Sequence, residues 1–388
     1  MSKKLPQGWE SVKLGKLFDI KKGKKVIQLD QKNEDSIRCI QIEDLRNNDF
    51  IKYCDNDPKH LIAIESDILI AWDGANAGTI GYGISGAVGS TLAILRCKED
   101  KILTPYVARF LQGKFDYLRA TCTGATIPHI SRQALEGLSI PIPPLEEQAK
   151  IVSILEKAEK AIQKREESDR LLDELVKSRF IEMFGDPVSN PNEWEIKSFN
   201  EVFDISSSSR ILKSEWKSEG IPFYRVRDMV KLSECGVADN EFFVSEEFYS
   251  SLSSSKGTPQ VGDIMVSATS TIGKCYVVKE NERFYYKDAD VLRFRKKIEL
   301  SAKYFIHFMK TQFAINQIKS TFGVTTVPHF TIVNAKKINM PYPPFELQNE
   351  FAGFVNLVDQ LKFKMENSLK ELENNFNSLM QKAFKGEL

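Results

Sequence analysis

Two stretches of sequence, 200 residues apart, decide how this chain folds: IPIPPLEEQ at residues 140–148 and MPYPPFELQ at residues 340–348. Each places a Pro-Pro pair directly before a long segment whose apolar residues have helical spacing. Proline is tolerated in the first turn of a helix but not in its interior, so each pair marks a helix start. The pattern therefore predicts two long helices, at residues 145–186 and 345–388, each preceded by a similar domain.

The repetition extends outward from these helix starts to the rest of the chain. The WE pair at residues 9–10 and FDI at residues 18–20 recur 185 residues later, at 194–195 and 203–205. TIPH at residues 126–129 returns 200 residues later as TVPH. The chain is therefore a duplicated half with insertions in its second copy. We predict domains at residues 1–144 and 187–344, and spacer helices at residues 145–186 and 345–388.

Both repeated domains are predicted to be mixed α/β. DILIA at residues 67–71 and DIMV at residues 263–266 are short apolar runs typical of strands. The Gly, Ser and Thr residues between positions 74 and 91 favour tight loops. Residues 105–115 and 302–313 have helical spacing, with aromatic residues that we assign to the core. The expected fold class is thus two α/β (α+β) domains, related by a pseudo-twofold repeat and joined by two long helices.

The long helices carry a heptad pattern, interrupted by Lys362 in the second helix and by Arg165 and Asp169 in the first. Two narrow apolar seams in one chain are best satisfied by each other, and a twofold relation requires an antiparallel coiled coil. Arg165 and Asp169 could pair with each other, contact a partner subunit or form a polar layer that fixes the register. The predicted seam and partner residues are Ile151, Leu155, Ile162, Arg165, Asp169, Leu172, Val355, Leu369, Leu372 and Phe376.

Composition places the chain among ordinary globular proteins. It has 388 residues, of which 42% are hydrophobic and 28% charged, and no apolar run is long enough to span a bilayer. Six cysteines without metal-like spacing favour reduced thiols and a cytoplasmic location. The net charge is only +1, but residues 1–144 hold 20 basic against 17 acidic residues, and residues 187–344 hold 21 against 18. Weakly basic domains are compatible with DNA contact.

Motifs for catalysis are missing. There is no G-x-G-x-x-G fingerprint, and residues 267–275 resemble a phosphate-binding loop only at Gly273-Lys274. The YPPF sequence at residues 342–345 has tyrosine where amino-methyltransferases need an amide or a carboxylate. Four histidines lack the spacing of metal ligands. We therefore expect no catalytic residues, no metal and no cofactor in this chain.

Several segments together resemble the specificity subunit of type I restriction–modification systems. PIPPLEEQAKIVSILEKAEKAI at residues 141–162 and ELVKSRFIEMFGDP at residues 174–187 are similar to the central segment of that family. NNFNSLMQKAFKGEL at residues 374–388 is similar to its distal segment. GWESVKLGKLFDI (8–20) and EWEIKSFNEVFDI (193–205) are similar to the openings of its two target-recognition domains. The resemblance covers essentially the whole chain, and is loose inside the recognition domains.

The resemblance implies a function in which each recognition domain reads one half of a split, asymmetric site in double-stranded DNA. The helices would act as a spacer and as the docking surface for two methyltransferase subunits, and motor-nuclease subunits would join for cleavage. S-adenosylmethionine, ATP and Mg²⁺ would be bound only by those partner subunits. The alternatives are a stand-alone DNA-binding regulator with the same bipartite geometry and a scaffold that joins other proteins. Neighbouring genes for a methyltransferase and a helicase-nuclease would distinguish them.

Basic residues at the opening of the first domain are the first candidates for DNA contact. They surround Gly23 and directly follow the FDI strand, where a basic loop can clamp phosphates, although a solvated surface run would look the same. The second domain has four serines and one arginine at the equivalent place, and hydroxyl groups also bind phosphate. The candidates are Lys21, Lys22, Lys24 and Lys25 in the first domain, and Ser207 and Arg210 in the second.

Arginines in the second domain are candidates for reading guanine. Arg225 and Arg227 alternate with apolar residues, which predicts that both lie on one face of a strand. Salt bridges to Asp228 or Glu219 would explain them equally well. The comparable stretch of the first domain offers Arg38 and Gln41.

Polar loops after the predicted strands complete the set. Asn76 could contact adenine, and the Thr269, Ser270 and Thr271 side chains could contact bases or phosphates. Turn formation explains both loops equally well. We interpret the repeated TIPH and TVPH motifs as structural turns, because an identical motif suits architecture better than divergent readout.

Overall fold

The computed structural model describes residues 5–124, 126–255, 257–322 and 328–388. The chain forms two compact units. The first unit comprises Met1–Glu167 and Glu366–Leu388, and the second comprises Ser168–Met365. Among the helices of the described ranges, none is long and apolar enough to cross a membrane.

The first unit is built from two four-stranded sheets and a two-stranded ribbon. One sheet has the order β2-β9-β6-β7 and the other β4-β3-β8-β5, while β1 pairs with β10. All pairings are antiparallel except that of β3 with β8. The elements are β1 (Glu10–Lys13), α1 (Leu14–Leu17), β2 (Phe18–Lys22), β3 (Ile37–Ile40), a 3-10 turn (Glu43–Leu45), β4 (Lys52–Cys54), β5 (Ile62–Ala63), β6 (Ile68–Ala71), β7 (Ile80–Tyr82), β8 (Gly86–Val88), β9 (Leu92–Cys97), α2 (Thr104–Gln112), α3 (Phe115–Ala120), α4 (Arg132–Glu136), β10 (Ser139–Ile142) and α5 (Leu145–Phe184).

The second unit repeats this plan with a four-stranded sheet, β12-β18-β15-β16, a three-stranded sheet, β14-β13-β17, and the ribbon of β11 and β19. The elements are β11 (Glu195–Ser198), α6 (Phe199–Val202), β12 (Phe203–Ser206), a 3-10 turn (Lys213–Glu215), β13 (Ile221–Tyr224), α7 (Val226–Cys235), β14 (Phe243–Val244), α8 (Glu246–Ser255), β15 (Ile264–Ser267), β16 (Cys275–Val277), β17 (Tyr285–Tyr286), β18 (Val291–Lys296), α9 (Ala302–Met309), α10 (Gln312–Ser320), α11 (Ile332–Ala335), β19 (Asn339–Tyr342) and α12 (Phe345–Ala383).

An ion pair between a buried aspartate and a partly exposed arginine occupies the same place in both units. Asp67 precedes β6, and both of its carboxylate oxygens accept hydrogen bonds from Arg96 on β9, at 2.9 and 2.6 Å. Asp263 precedes β15 and is held in the same way by Arg295, at 2.8 and 2.7 Å. Each aspartate also accepts a hydrogen bond from the backbone three residues before it, which closes the turn into the strand. The internal repeat therefore extends to a strand-entry turn that a bidentate pair stabilises.

A buried glutamine ties the start of each long helix to its domain. The side chain of Gln148 accepts from the Leu103 amide at 2.9 Å and donates to the Pro143 carbonyl at 2.9 Å. Gln348 makes the equivalent bonds with Ser301 N at 3.0 Å and the Pro343 carbonyl at 2.8 Å. The IPIPPLEEQ and MPYPPFELQ motifs thus end in the residue that satisfies the polar backbone groups around each helix start.

The two long helices pack antiparallel, as predicted. Ile151 and Leu155 near the start of α5 share a core with Met380 and Ala383 near the end of α12. In the second unit, the end of α5 packs with the start of α12, because Phe180 and Phe351 belong to one core. Ile162, Leu172, Leu369, Leu372 and Phe376 are partly buried, and Val355 is buried. The expected mixed α/β domains and their helical coiled coil are therefore confirmed.

The seam of α5 departs from the predicted heptad near its end. After Val176 the buried residues are Phe180 and Phe184, whereas the heptad pattern places Arg179 and Met183 there. The ring of Phe180 stacks on Tyr304 with 5.6 Å between centroids, so aromatic packing overrides strict heptad spacing.

The polar interruptions of the two seams meet in the second unit. Lys362 Nζ lies 3.6 Å from Asp169 and 3.0 Å from Asp173. Burial lowers the pKa of Lys362, but the two carboxylates outweigh it and hold that pKa above its usual value. Arg165, in the first unit, is partly buried.

The predicted short helices have different ends. The 105–115 segment is α2, which ends at Gln112, and a separate helix α3 begins at Phe115. The 302–313 segment is likewise divided between α9 and α10, because Thr311 caps a new helix by accepting from the Ala314 amide. The aromatic residues Tyr106, Phe110, Tyr304 and Phe308 are buried, as predicted.

Candidate nucleic-acid interface

The polar loop after β6, residues 72–79, lies beside the 3-10 turn in the first unit. Asn76 accepts a hydrogen bond from Arg46 at 2.8 Å through its side-chain oxygen. A side-chain amide that contacts adenine uses both its oxygen and its nitrogen, so Arg46 must release Asn76 or share it for that readout.

Arg38 and Gln41 lie around Asp44, which is almost fully buried. Arg38 forms an ion pair with one carboxylate oxygen of Asp44 and donates to the Asn48 side chain at 2.7 Å. The Gln41 backbone amide donates to the other oxygen of Asp44 at 2.6 Å. The Gln41 side chain donates to Cys39 Sγ at 3.1 Å. The structure therefore brings both predicted residues to one turn, where Asp44 balances the positive charge of Arg38.

Asp73 connects the same β6–β7 loop to the basic residues at the end of β2. Its two carboxylate oxygens contact Lys22 Nζ and His129 Nδ1, each at 2.6 Å. Burial raises the pKa of Asp73, but the Lys22 and His129 hydrogen bonds outweigh it and place the pKa below its usual value. The TIPH motif of the first domain thus contacts the lysine segment through a charged carboxylate.

The predicted lysines open onto a cleft of about 460 Å³ that other basic residues complete. Lys21, Lys22 and Lys24 line it together with Lys59 and Arg132. Lys25 is exposed on the same segment. Sequence reasoning missed Lys59 and Arg132 because they lie far from the first three in the chain.

Arg225 and Arg227 do not share a strand face, so that prediction is wrong. Strand β13 ends at Tyr224, Arg225 is the N-cap of α7 and Arg227 lies in the first turn of that helix. Both guanidinium groups contact Glu241, Arg225 at 2.9 Å, and both lie within 4 Å of buried Asp228. The proposed salt bridge to Asp228 is present, and Glu241 takes the place suggested for Glu219.

The serine segment after β12 is bound internally in the second unit. Ser207 Oγ accepts from the Ala289 amide at 3.0 Å and donates to the Val291 carbonyl at 3.4 Å. Ser208 Oγ donates to the Tyr286 carbonyl at 2.7 Å. Arg210 is exposed beyond these contacts.

The hairpin tip between β15 and β16 presents the other predicted residues of the second domain. Ser270 and Thr271 are exposed, Thr269 is partly exposed and Ser270 has a positive φ of 56°. Ser267 fixes the tip from below, because its hydroxyl contacts the Thr271 carbonyl and accepts from the Lys274 amide. The tip follows β15 as the Asn76 loop follows β6.

The TIPH and TVPH motifs support these loops as structural elements. The Ile130 amide donates to the Trp72 carbonyl at 2.9 Å, and the Phe330 amide makes the equivalent bond to Ala268 at 2.9 Å. His329 contacts the Ala289 carbonyl at 2.9 Å. Thr326 and Val327 lie outside the described residues. The residue that follows each motif therefore hydrogen-bonds to the backbone at the base of a candidate recognition loop.

These contacts bring Lys22 against the β6–β7 loop that carries Asn76 in the first unit, and place Thr269, Ser270 and Thr271 on the equivalent tip of the second. Arg225 and Arg227 instead contact Glu241 and Asp228 at the start of α7. The loops differ in chemistry, with lysines, an aspartate and an asparagine in the first and hydroxyl groups in the second. Across the described residues, no group of three or more His, Cys, Asp or Glu side chains is arranged to hold a metal ion. The arrangement suits hydrogen bonding to a polyanion with different partners in each copy.

Comparison with known families identifies this scaffold. The family model described as the type I restriction modification DNA specificity domain matches residues 6–172 and again residues 191–374. The two matches cover most of the chain and follow the internal repeat. The chain therefore belongs to the family of type I restriction–modification specificity subunits, and its two repeated domains are DNA-recognition domains.

Individual relatives agree with the family. The specificity subunit of the type I restriction enzyme MjaVIII of Methanocaldococcus jannaschii is 25% identical, with 99% of this chain and 94% of that protein covered. The EcoBI specificity subunit of Escherichia coli is 21% identical over 92% of this chain and 81% of that protein.

Solved structures show the same fold. A chain in a structure described as the basis of complex assembly and conformational transition of the type I R-M system superposes with a TM-score of 0.65 at 18% identity, covering 99% of this chain and 100% of the other. The S subunit of the type I system of M. genitalium superposes with a TM-score of 0.56 at 17% identity, covering 99% and 97%.

Proposed function

We propose that each recognition domain reads one half of a split, asymmetric DNA site. The observation that carries this proposal is the different chemistry of two equivalent loops on one scaffold. Lys21 and Lys22 end β2 of the first domain, where Ser206 and Ser207 stand at the end of β12 in the second. Asp73 follows β6 where Thr269 follows β15. Two different readers in one chain recognise two different half-sites, in contrast to a homodimer, whose site is palindromic.

Two methyltransferase subunits and motor-nuclease subunits are the proposed protein partners. Apolar side chains exposed on the helix pair of the second unit support a protein-docking role. Lys362 contacts Asp169 and Asp173, and this antiparallel register places the exposed leucines of α5 level with those of α12. These leucines are 46–67% exposed: Leu171, Leu175, Leu357 and Leu361.

Docking can be tested by co-purification of the full chain with the methyltransferase subunit of its own system. Leu361→Glu places a charge on the apolar patch and should reduce recovery of the methyltransferase at least about tenfold, the effect of roughly 1.4 kcal/mol. Asn356→Glu adds the same charge at an exposed position of the same helix and should leave recovery unchanged. Equal recovery with both variants would show that the partner docks elsewhere.

Chemistry is proposed to reside in the partner subunits, which would bind S-adenosylmethionine, ATP and Mg²⁺. The purified chain should therefore show no methyl transfer or DNA cleavage when all three are supplied. Robust turnover by the pure chain would overturn this part of the proposal.

The function itself is tested by sequencing methylated DNA from cells with and without this gene. Loss of a methylated motif with two specific halves and an unspecified gap is the expected result. If the chain binds DNA and no methylated motif depends on it, a stand-alone regulator replaces the proposed role.

A further inference from the structure

The cationic cleft of the first unit joins the lysines predicted from the sequence to basic residues from two other segments of the chain. Its charged lining comes from the end of β2, the segment before β5 and the start of α4. We propose that this cleft is a phosphodiester-binding site that holds the DNA backbone in the first recognition domain, and that the described residues at the end of β12 in the second domain form no matching lysine wall. The inference rests on the proposed function and adds an asymmetry to it. The basic lining residues are Lys21, Lys22, Lys24, Lys59 and Arg132.

The lysine wall of the cleft is fixed in place by a glycine. The Gly23 amide donates to the Leu92 carbonyl at 2.9 Å. A Cβ at Gly23 would lie 2.2 Å from the Gly89 carbonyl oxygen and 2.5 Å from that of Val88, so the backbone fits only without a side chain. The backbone that carries the lysines on both sides of Gly23 is therefore held in one position.

The opposite wall of the cleft, which carries Lys59, is held by β8, the strand whose end also packs against Gly23. The Val88 amide donates to the Leu61 carbonyl at 2.8 Å, and the backbone amide of Lys59 donates to the Asp57 side chain at 2.8 Å. Arg132 closes the cleft by donating to the Ile20 carbonyl at 3.3 Å. These contacts set the width between the two basic walls before any ligand arrives.

Charge in the cleft is only partly balanced. Lys22 contacts Asp73 at 2.6 Å, and Arg132 contacts Glu136 at 2.7 Å. Lys21, Lys24 and Lys59 are exposed and form no ion pair with the described part of the chain. Three cations that converge on an open cleft favour a polyanion such as the DNA backbone over a ligand with a single carboxylate. Each cation can contact its own phosphate oxygen on the polyanion.

Among the described residues of the second unit, no lysine stands at the positions that correspond to Lys21, Lys22 and Lys24. Serines replace the lysines, and the hydroxyl groups of Ser207 and Ser208 are bound to backbone groups at Val291 and Tyr286. Because salt dependence counts the phosphates that cations neutralise, the salt dependence of DNA binding should depend strongly on the first domain.

The test is DNA binding by the full chain to a duplex of random sequence over a series of NaCl concentrations. The double variant Lys24→Gln with Lys59→Gln should lower the slope of log K against log [NaCl] by about 2, since each phosphate contact contributes about 0.9. Lys24→Arg with Lys59→Arg keeps both charges and should retain the slope. Lys13→Gln with Lys101→Gln removes two exposed lysines outside the cleft and should change the slope by less than about 0.5.

Each other outcome is decisive. An unchanged slope in the glutamine variant, with wild-type binding intact, overturns the cleft and leaves the proposed function standing. Absence of wild-type binding to duplex DNA overturns both. Weaker association with the methyltransferase subunit at an unchanged slope would show that the cleft binds a protein surface, which also overturns the inference.

Discussion

Replacing Gln148 with alanine should detach the start of α5 from the first domain. The Gln148 side chain is fully buried and makes three hydrogen bonds. It accepts from the Leu103 amide and donates to the carbonyls of Pro143 and Lys101. Alanine removes all three bonds and leaves the backbone groups without that partner.

The magnitude follows from the burial of those groups. An unsatisfied buried polar group costs about 1–3 kcal/mol, and the Lys101 carbonyl can recover a bond to water. The other two, at Leu103 and Pro143, lie deeper, so Gln148→Ala should lower the free energy of unfolding of the first unit by about 2–4 kcal/mol. Gln148→Glu should be at least as damaging, because it places a carboxylate oxygen against the Pro143 carbonyl.

Hydrogen exchange measured by mass spectrometry would follow the first unit separately from the second. The Leu103 amide should lose protection in Gln148→Ala, and denaturant unfolding should give the energy. Gln163→Ala is the matched control, since Gln163 is exposed on the same helix and should change stability by less than about 0.5 kcal/mol. Equal effects of the two substitutions would refute the anchoring role of Gln148.

Three further predictions concern single residues. Burial lowers the pKa of His307 to about 4. Between pH 6.5 and 4 this histidine is therefore protonated in the unfolded chain but neutral in the folded chain. Stability should therefore fall by about 2–3 kcal/mol as pH drops through that window, and calorimetry of His307→Phe should show a smaller loss. Gly23→Ala should lower the free energy of unfolding by about 1–3 kcal/mol, because the new methyl group clashes with the Gly89 carbonyl. A melting temperature equal to that of the wild type would contradict this. Lys362→Met should destabilise by about 1 kcal/mol in urea titrations, and adding Asp169→Leu should restore stability; no recovery would contradict the pairing.

The repeat and the long helices could be predicted because identical motifs stand at fixed offsets. The Pro-Pro pairs mark helix starts by a local steric rule, and the heptad pattern needs no tertiary information. The end of α5 could not be predicted in this way, since Phe180 is drawn into the seam by Tyr304 and Phe351, which lie far along the chain.

Local alternation misled the reading of the arginines in the second domain. Alternating Arg225, Val226 and Arg227 indicated a strand, yet the Asp228 side chain accepts from the Arg225 amide at 2.9 Å and begins a helix. Gly236, with a φ of 71°, ends that helix. An aspartate at the third helical position and a glycine after the last turn are typical of a helix. The alternation of charged and apolar residues was given more weight than these two signals.

The candidate interface was predictable only where its residues are close in sequence. Lys21, Lys22 and Lys24 form a visible run, whereas Lys59 and Arg132 join them through sheet pairing and the placement of α4. No local pattern could indicate that these residues share a cleft. The same holds for Arg46, which reaches Asn76 across the base of a loop.

Exchange of one recognition domain tests the central claim most directly. Residues 8–143 would be replaced by the matching domain of a relative with a known methylated site, with the junction at Pro144, and the chimaera would be expressed with its partner subunits. Sequencing of methylated DNA should show one half of the motif replaced, while the other half and the gap between them stay as in the parent. A change in both halves, or in neither, would contradict the account in which each domain reads its own half-site.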